Sequence, residues 1–422
     1  MAAVTSSSEV SLERRLGLGD AVLIGLGSMI GAGVFAAYGP AARAAGAGLL
    51  VGLALAAVVA YCNATASAQL AAAYPRAGGT YLYGREVLGD WWGYLAGWGF
   101  MVGKTASCAA MALTFAAYVA PDGWMRPVAA AVVVVLALVN CAGVTRTALL
   151  TRVLVSVVLA SLVVACVVCF TSSLPVADVA RASPSHGLYG VLQSAGLLFF
   201  AFAGYARIAT LGEEVREPAR VIPRAIVMAL AGAVVVYAAT AVAVLHVLGP
   251  LGTAASDAPV ATAVAATSAT WAVPVVRVGA ALASAGALLA LIAGLGRTGL
   301  AMARERDLPG WLDAVHPRFR VPARAELTVA AIVVVLVLTT DLRGAIGFSS
   351  FGVLLYYFVA NAAAYRQNAA SRRFPRWLQV LGAVGCLVLV ATLPWLSVVA
   401  GLAVFAVGIA VRWLRLLSLR SH

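Results

Sequence analysis

The sequence predicts an all-α integral membrane protein of about twelve transmembrane helices. Three observations carry the prediction. Of the 422 residues, 63% are hydrophobic and 11% are charged; ordinary soluble domains carry about twice that charged share. The apolar residues fall in long continuous runs, and at about 20 residues per span they suffice for about a dozen crossings. The arginines, finally, sort to one side of the membrane when the runs are laid out as spans. A soluble enzyme, a nucleic-acid-binding domain, a disulfide-stapled secreted protein and a disordered chain are excluded. A large β-barrel does not fit either, because its strands alternate in short segments.

Runs bounded by charge, Pro or Gly place the spans in chain order. The first, about 17–41, follows a polar tail with Arg14 and Arg15 and is too long and glycine-rich for a signal peptide core. The second, 46–72, stops before Pro75; the third, 91–119, opens on the interfacial pair Trp91–Trp92. The fourth and fifth are 127–143 and 149–172, and the sixth, 193–212, stops at Glu213 and Glu214. The seventh, 223–248, begins at Pro223; the eighth, 271–296, stops at Arg297. The ninth and tenth are 326–340 and 344–364. The last two, 377–393 and 395–411, are separated by Pro394, because 377–411 is far too long for one span.

With the N-terminus inside, 22 arginines fall in inside loops and tails and 4 outside, as the positive-inside rule requires. Both termini are then cytoplasmic: a tail at 1–16, one transmembrane domain at 17–411 and a tail at 412–422. The net charge of +13 would suggest nucleic acid in a soluble protein; here it sets topology, and membrane lipid is the expected neighbour. The largest inside loop, 297–325, is basic and carries three prolines, so membrane contact is its default role. Cys166 and Cys169 share a helix face, but no histidine or carboxylate accompanies them and the four histidines do not cluster, so no metal site and no cofactor are expected.

Two spans carry glycine near mid-membrane. The first reads Gly27-Ser28-Met29-Ile30-Gly31-Ala32-Gly33, where glycine can unwind the helix or, as a GxxxG pattern, pack it closely. The sixth reads Phe199-Phe200-Ala201-Phe202-Ala203-Gly204-Tyr205. These spans open two sets of five, about 17–172 and 193–364, and an odd-numbered set that is repeated runs the opposite way. Paired interrupted helices at matching positions of inverted halves point to a transport site. Each break would expose carbonyls on one half-helix and N–H groups on the other, binding a cation and an anion respectively. A zwitterionic α-amino acid presents both charges.

The sequence resembles the amino acid–polyamine–organocation (APC) superfamily of secondary transporters. The segments that carry the likeness are GLGSMIGAGVF (25–35), QLAAAYPRAGGTYLYGREVLG (69–89), FFAFAGYARIATLGEEVREPARVIPRAI (199–226) and GRTGLAMARERDLPGWLDAVHPRFRVP (296–322). The resemblance implies a five-plus-five inverted repeat with helices 1 and 6 discontinuous, two peripheral helices at 377–411, and alternating access to a central amino acid site. It implies that Ile30, Gly31, Ala32 and Gly33 bind the substrate's carboxylate and amine through the backbone. Phe200 matches an aromatic gate, and Phe202, Ala203, Gly204 and Tyr205 would line the far side. Ser284 lies near where sodium-coupled relatives place hydroxyl ligands, but one serine among alanines reads better as a helix-packing hydroxyl.

Two departures from the family pattern bear on substrate and coupling. Cation-selective members carry an acid shortly after the sixth-span glycine, where this chain has Ala206 and Arg207, and no carboxylate lies deep in any span. The substrate is therefore expected to be neutral rather than cationic. Arg207 reads as a structural partner of Glu213 or Glu214, or else as a bias toward neutral or acidic side chains. Lys104 is the protein's sole lysine and lies near mid-membrane in the third span. A charge there costs at least ~2.5 kcal/mol and marks function by default, and a desolvated lysine can lose its proton. Some proton-coupled family members keep a lysine in the fifth span; here that stretch is apolar except Ser156, so Lys104 is expected to take its part. Gly103-Lys104-Thr105 is no phosphate loop, because Trp98 stands where the first glycine belongs. The expectation is a secondary amino acid transporter, proton-coupled or exchanging. The alternatives are a carrier of another amine or organic solute, and a membrane-embedded amino acid sensor without transport.

Overall fold

The computed structural model describes residues 16–75, 78–143, 148–172, 187–209, 211 and 214–420. All its regular elements are helical. The first apolar run forms α1 (Leu18–Met29), a short α2 (Ala32–Ala36) and α3 (Tyr38–Ala45), and α4 (Leu49–Ala73) follows. Next come α5 (Gly79–Leu88), α6 (Asp90–Val119), α7 (Met125–Cys141) and α8 (Ala148–Phe170). The second half opens with α9 (Gly187–Phe202), a 3₁₀ turn at Ala203–Tyr205 and α10 (Ala206–Ala209). It continues with α11 (Pro218–Ala255), α12 (Pro259–Ala265), α13 (Ala272–Arg304), α14 (Ala323–Thr339) and α15 (Leu342–Arg366). Two last helices, α16 (Arg376–Thr392) and α17 (Trp395–Arg420), close the chain.

Each apolar run read from the sequence is thus helical. Among the described residues, nine helical stretches are long and apolar enough to cross a membrane, and two shorter apolar helices, α7 and α16, accompany them. Two helices lie between the runs: α5, and α12 after α11. Glycine marks both ends of α5, since Gly78 (φ 132°) and Gly89 (φ 103°) hold conformations that side-chain-bearing residues rarely adopt. The last helix continues past residue 411, where a tail is expected, and carries Arg412 into a buried contact.

Small residues set the closest approach in the bundle. A Cβ at Gly352 of α15 would lie 2.7 Å from the Gly99 carbonyl and 2.8 Å from Gly103 Cα, so α6 and α15 cross with their backbones nearly touching. This crossing buries Ser107 against Ser349 (Oγ–Oγ 2.6 Å) and brings Lys104 and Tyr357 to one acceptor, the Ala203 carbonyl.

At the arginine-rich end, a buried ion cluster ties four elements together. Tyr81 of α5 donates to Asp307 (2.8 Å), Arg85 reaches the same carboxylate (3.3 Å), and Arg412 of α17 donates to its other oxygen. The Arg412 guanidinium also stacks on Tyr94 (4.5 Å) and Trp91 (5.0 Å) of α6. Burial pushes the Asp307 carboxyl above its ordinary value, and the tyrosine and the arginines pull it down only in part.

Two outcomes are expected of detergent-solubilised protein. Gly352→Val forces α6 and α15 apart and costs about 1–3 kcal/mol, whereas Gly19→Ala, which meets nothing within 4 Å, leaves the melting temperature unchanged or slightly raised. Asp307→Asn takes the carboxylate from the buried Arg412 guanidinium, while Arg85 keeps Asp90 (3.1 Å) and Glu305 (3.3 Å). The folded state holds the Asp307 proton more tightly than the unfolded chain. That titration therefore adds stability below about pH 3.9 and loses it as pH rises through the raised value. Melting curves against pH should show this descending limb in wild type and not in Asp307→Asn.

Candidate functional site

The first helix breaks where its glycines predict. Helical geometry ends at Met29; Ile30 (ψ 55°) and Gly31 (φ −98°, ψ −134°) are non-helical, and α2 restarts at Ala32. The Gly31 N–H turns back on the Met29 carbonyl (2.8 Å). The sixth apolar run breaks differently: α9 tightens into the 3₁₀ turn Ala203-Gly204-Tyr205 before α10. A 3₁₀ turn tightens the hydrogen-bonding register from i→i+4 to i→i+3, with poorer bond geometry.

The two breaks touch. A Cβ on Gly204 would collide with the Ser28 carbonyl and lie 2.6 Å from the Met29 nitrogen, and one on Gly33 would lie 2.6 Å from Ala201 Cβ. No residue larger than glycine fits either place without moving backbone. Gly31 faces α13, where a Cβ would sit 3.0 Å from that of Ala287. Phe200 is buried in an apolar cluster with Ala32 and Ala36 of α2 and with Ala287 and Leu288 of α13. Ile30, Gly31, Ala32, Gly33, Phe200 and Gly204 therefore converge.

Phe202 and Tyr205 turn to tyrosines on other helices. The Phe202 ring meets Tyr237 of α11 edge-on (5.0 Å), and Tyr205 packs on Tyr357 of α15 (5.0 Å). The Tyr237 hydroxyl is shared between two carbonyls, Met29 (2.6 Å) and Ala201 (2.8 Å), one from each broken segment. Tyr38 in turn donates to the Tyr237 carbonyl (2.9 Å). Sequence reading passes over Tyr237. The available signal was a lone phenol in an otherwise apolar run, which must find a partner once buried.

Lys104 is the fifteenth residue of the thirty in α6, and its side chain is buried. Its ammonium donates to the Ala203 carbonyl (3.1 Å), the first residue of the 3₁₀ turn, and the Tyr357 hydroxyl donates to the same oxygen (3.3 Å). A hydrogen bond from a charged donor is worth about 1.5–3 kcal/mol, roughly twice a neutral one. Every described carboxylate sits in a loop or at a helix end, so the ammonium has no anionic partner among the described residues.

The remaining candidates lie apart. Ser284 of α13 is fully buried and its hydroxyl has no described partner. Arg207 is exposed on α10, with Glu214 among the charges near it. The Glu214 carbonyl accepts from Leu16 (3.0 Å), joining the start of the described chain to the loop after α10. Glu213 lies outside the described residues. At the start of α11, Arg220 and Glu217 form an exposed pair at 3.9 Å, whereas Arg85 and Arg412 both reach Asp307. No group of three metal-ligating side chains occurs among the described residues.

Comparisons with known proteins agree with this architecture. The amino acid permease family model matches residues 20–417. An uncharacterized transporter of Mycobacterium tuberculosis is 60% identical over 94% of this chain and 90% of its own length. The chloroplastic cationic amino acid transporter 7 of Arabidopsis thaliana is 28% identical over 87% of this chain and 68% of its own length. A branched-chain amino acid permease of Bacillus subtilis is 25% identical over 97% and 94%. Family and relatives alike are transporters rather than enzymes. The chain is a multi-pass membrane protein and belongs to the amino acid permease family of the APC superfamily.

Proposed function

We propose that the protein is a secondary active transporter that carries amino acids across the cytoplasmic membrane by alternating access, coupled to protons or to exchange. The chain crosses the membrane twelve times with both termini inside, as two inverted sets of five spans followed by two peripheral ones. The observation that carries the reading is the meeting of two interrupted helices near mid-membrane, with a buried lysine on the carbonyl of one of them.

Ile30, Gly31, Ala32 and Gly33 offer backbone N–H and carbonyl groups to the substrate's carboxylate and amine. Phe200 closes over it, while Phe202, Ala203, Gly204 and Tyr205 form the opposite wall. A neutral side chain suits this site, because the nearest fixed charge is the Lys104 ammonium and no described carboxylate is near to balance a second cation. Loss or gain of a proton on Lys104 changes the pull on the Ala203 carbonyl, and with it the position of α10 relative to α6. The second reading is a cationic substrate, favoured by the likeness to the cationic amino acid transporter.

Proteoliposomes test the proposal. Neutral amino acids should enter faster when a pH gradient is imposed, and Lys104→Ala should transport without responding to it. Equal, gradient-independent uptake by wild type and Lys104→Ala overturns the coupling role. Tyr237→Phe removes the hydroxyl shared by both breaks. It should lower the initial rate about tenfold while costing only about 1 kcal/mol of stability. A thermal-shift screen of all amino acids should show stabilisation by neutral ones; stabilisation by arginine or lysine alone decides for the second reading.

A further inference from the structure

A groove of about 420 Å³ opens on the outside of the bundle between α6, α15 and α16, away from the broken helices. Its walls are apolar: Trp92 and Phe358 (rings 6.4 Å apart) face Val384 across the opening. Two features do not suit a surface packed only against hydrocarbon. Gln379 of α16 lines the groove with 1% of its surface exposed, and neither its amide nitrogen nor its amide oxygen has a hydrogen-bond partner among the described residues. Asn361 of α15 lines it too, fully buried; its amide nitrogen donates to Asn63 (2.6 Å) and to the Tyr357 carbonyl (2.9 Å), and its amide oxygen is unpartnered. A buried amide without partners costs several kcal/mol where no water reaches, so Gln379, unpartnered at both amide atoms, with the free Asn361 oxygen beside the same groove, implies a polar group that enters it. The second feature is charge. Arg366 stands at the groove's mouth, exposed, and its guanidinium makes no hydrogen bond or ion pair among the described residues. Arg376 lies on the Tyr365 ring beside it (5.1 Å).

The order of these groups along α15 is that of an amphiphile. Taking 1.5 Å per residue, Asn361 lies roughly 7 Å and Phe358 roughly 12 Å deeper than Arg366. Charge comes first, then amide, then aromatic and aliphatic walls. That sequence matches phosphate, glycerol ester and acyl chain. Basic pockets between membrane helices on the cytoplasmic side bind anionic headgroups by this combination.

We propose that this groove binds one anionic glycerophospholipid of the surrounding leaflet, with its phosphate on Arg366, its ester region on Gln379 and Asn361, and an acyl chain along Phe358 and Val384. Naming that leaflet cytoplasmic rests on the orientation proposed above; the site itself does not, and it shares no residue with the proposed transport site.

Native mass spectrometry and thermal shift on delipidated protein, in uncharged detergent with added phosphatidylglycerol or phosphatidylcholine, test it without any substrate. Wild type should bind phosphatidylglycerol about tenfold tighter and melt higher in its presence. Arg366→Ala should lose about tenfold of that affinity, as expected for one charged hydrogen bond, and Gln379→Leu should weaken both lipids. Arg366 is exposed, so its variant keeps the test usable if Gln379→Leu does not fold. Equal binding of the two lipids by wild type overturns the proposal. So does a loss in Arg324→Ala, an exposed arginine at the start of α14, as large as that in Arg366→Ala.

Discussion

The arrangement depends on backbone meeting backbone inside a bundle of membrane helices. Gly204 lies against the Ser28–Met29 peptide, and Gly33 against Ala201, with no room for a side chain between them. Two helices can break at mid-membrane only if the polar groups they release are satisfied by protein, since hydrocarbon offers none. Contact between the breaks lets one set of donors serve both. The Tyr237 hydroxyl, shared between Met29 and Ala201, is the clearest case.

That constraint explains where the polar side chains of the core sit. Lys104 and Tyr357 both turn to the Ala203 carbonyl, at the start of the 3₁₀ turn. They can do so because Gly99, Gly103 and Gly352 bring α6 and α15 into near backbone contact. A larger residue at any of the three would widen the crossing and lift the lysine from its acceptor. The ion cluster on Asp307 repeats the logic at the arginine-rich end: one carboxylate meets both Arg85 and Arg412, Arg85 being paired with Asp90 and Glu305 as well, and so joins α5 and α17 to the loop after α13.

Legibility in the sequence followed the range of the interaction. Helices along the apolar runs were readable because hydrophobicity is a property of each residue and its near neighbours. The break at Ile30–Gly31 was readable from its glycines, and the place of Lys104 midway along its helix from counting residues. The helix α5 was missed because it is short and only moderately apolar, although Gly78 and Gly89 bracket it. Tyr237 and Tyr357 were missed because a phenol in an apolar run gives no sign of which carbonyl it will meet. Arg412 was assigned to a tail, since its partner Asp307 is 105 residues away.

By itself the sequence determined that this is a helical membrane protein, where its apolar helices lie, which two of them are interrupted, and that it resembles amino acid transporters. Those are consequences of composition, hydropathy and local backbone freedom, all of which act over a few turns of helix. Only the tertiary structure decided that the two breaks touch, that Tyr237 serves both, that Lys104 is held by Ala203, and that Gln379 and Arg366 border one groove. Each of those facts joins residues from different helices, and helices that look equivalent in hydropathy are told apart only when their small residues let specific pairs approach.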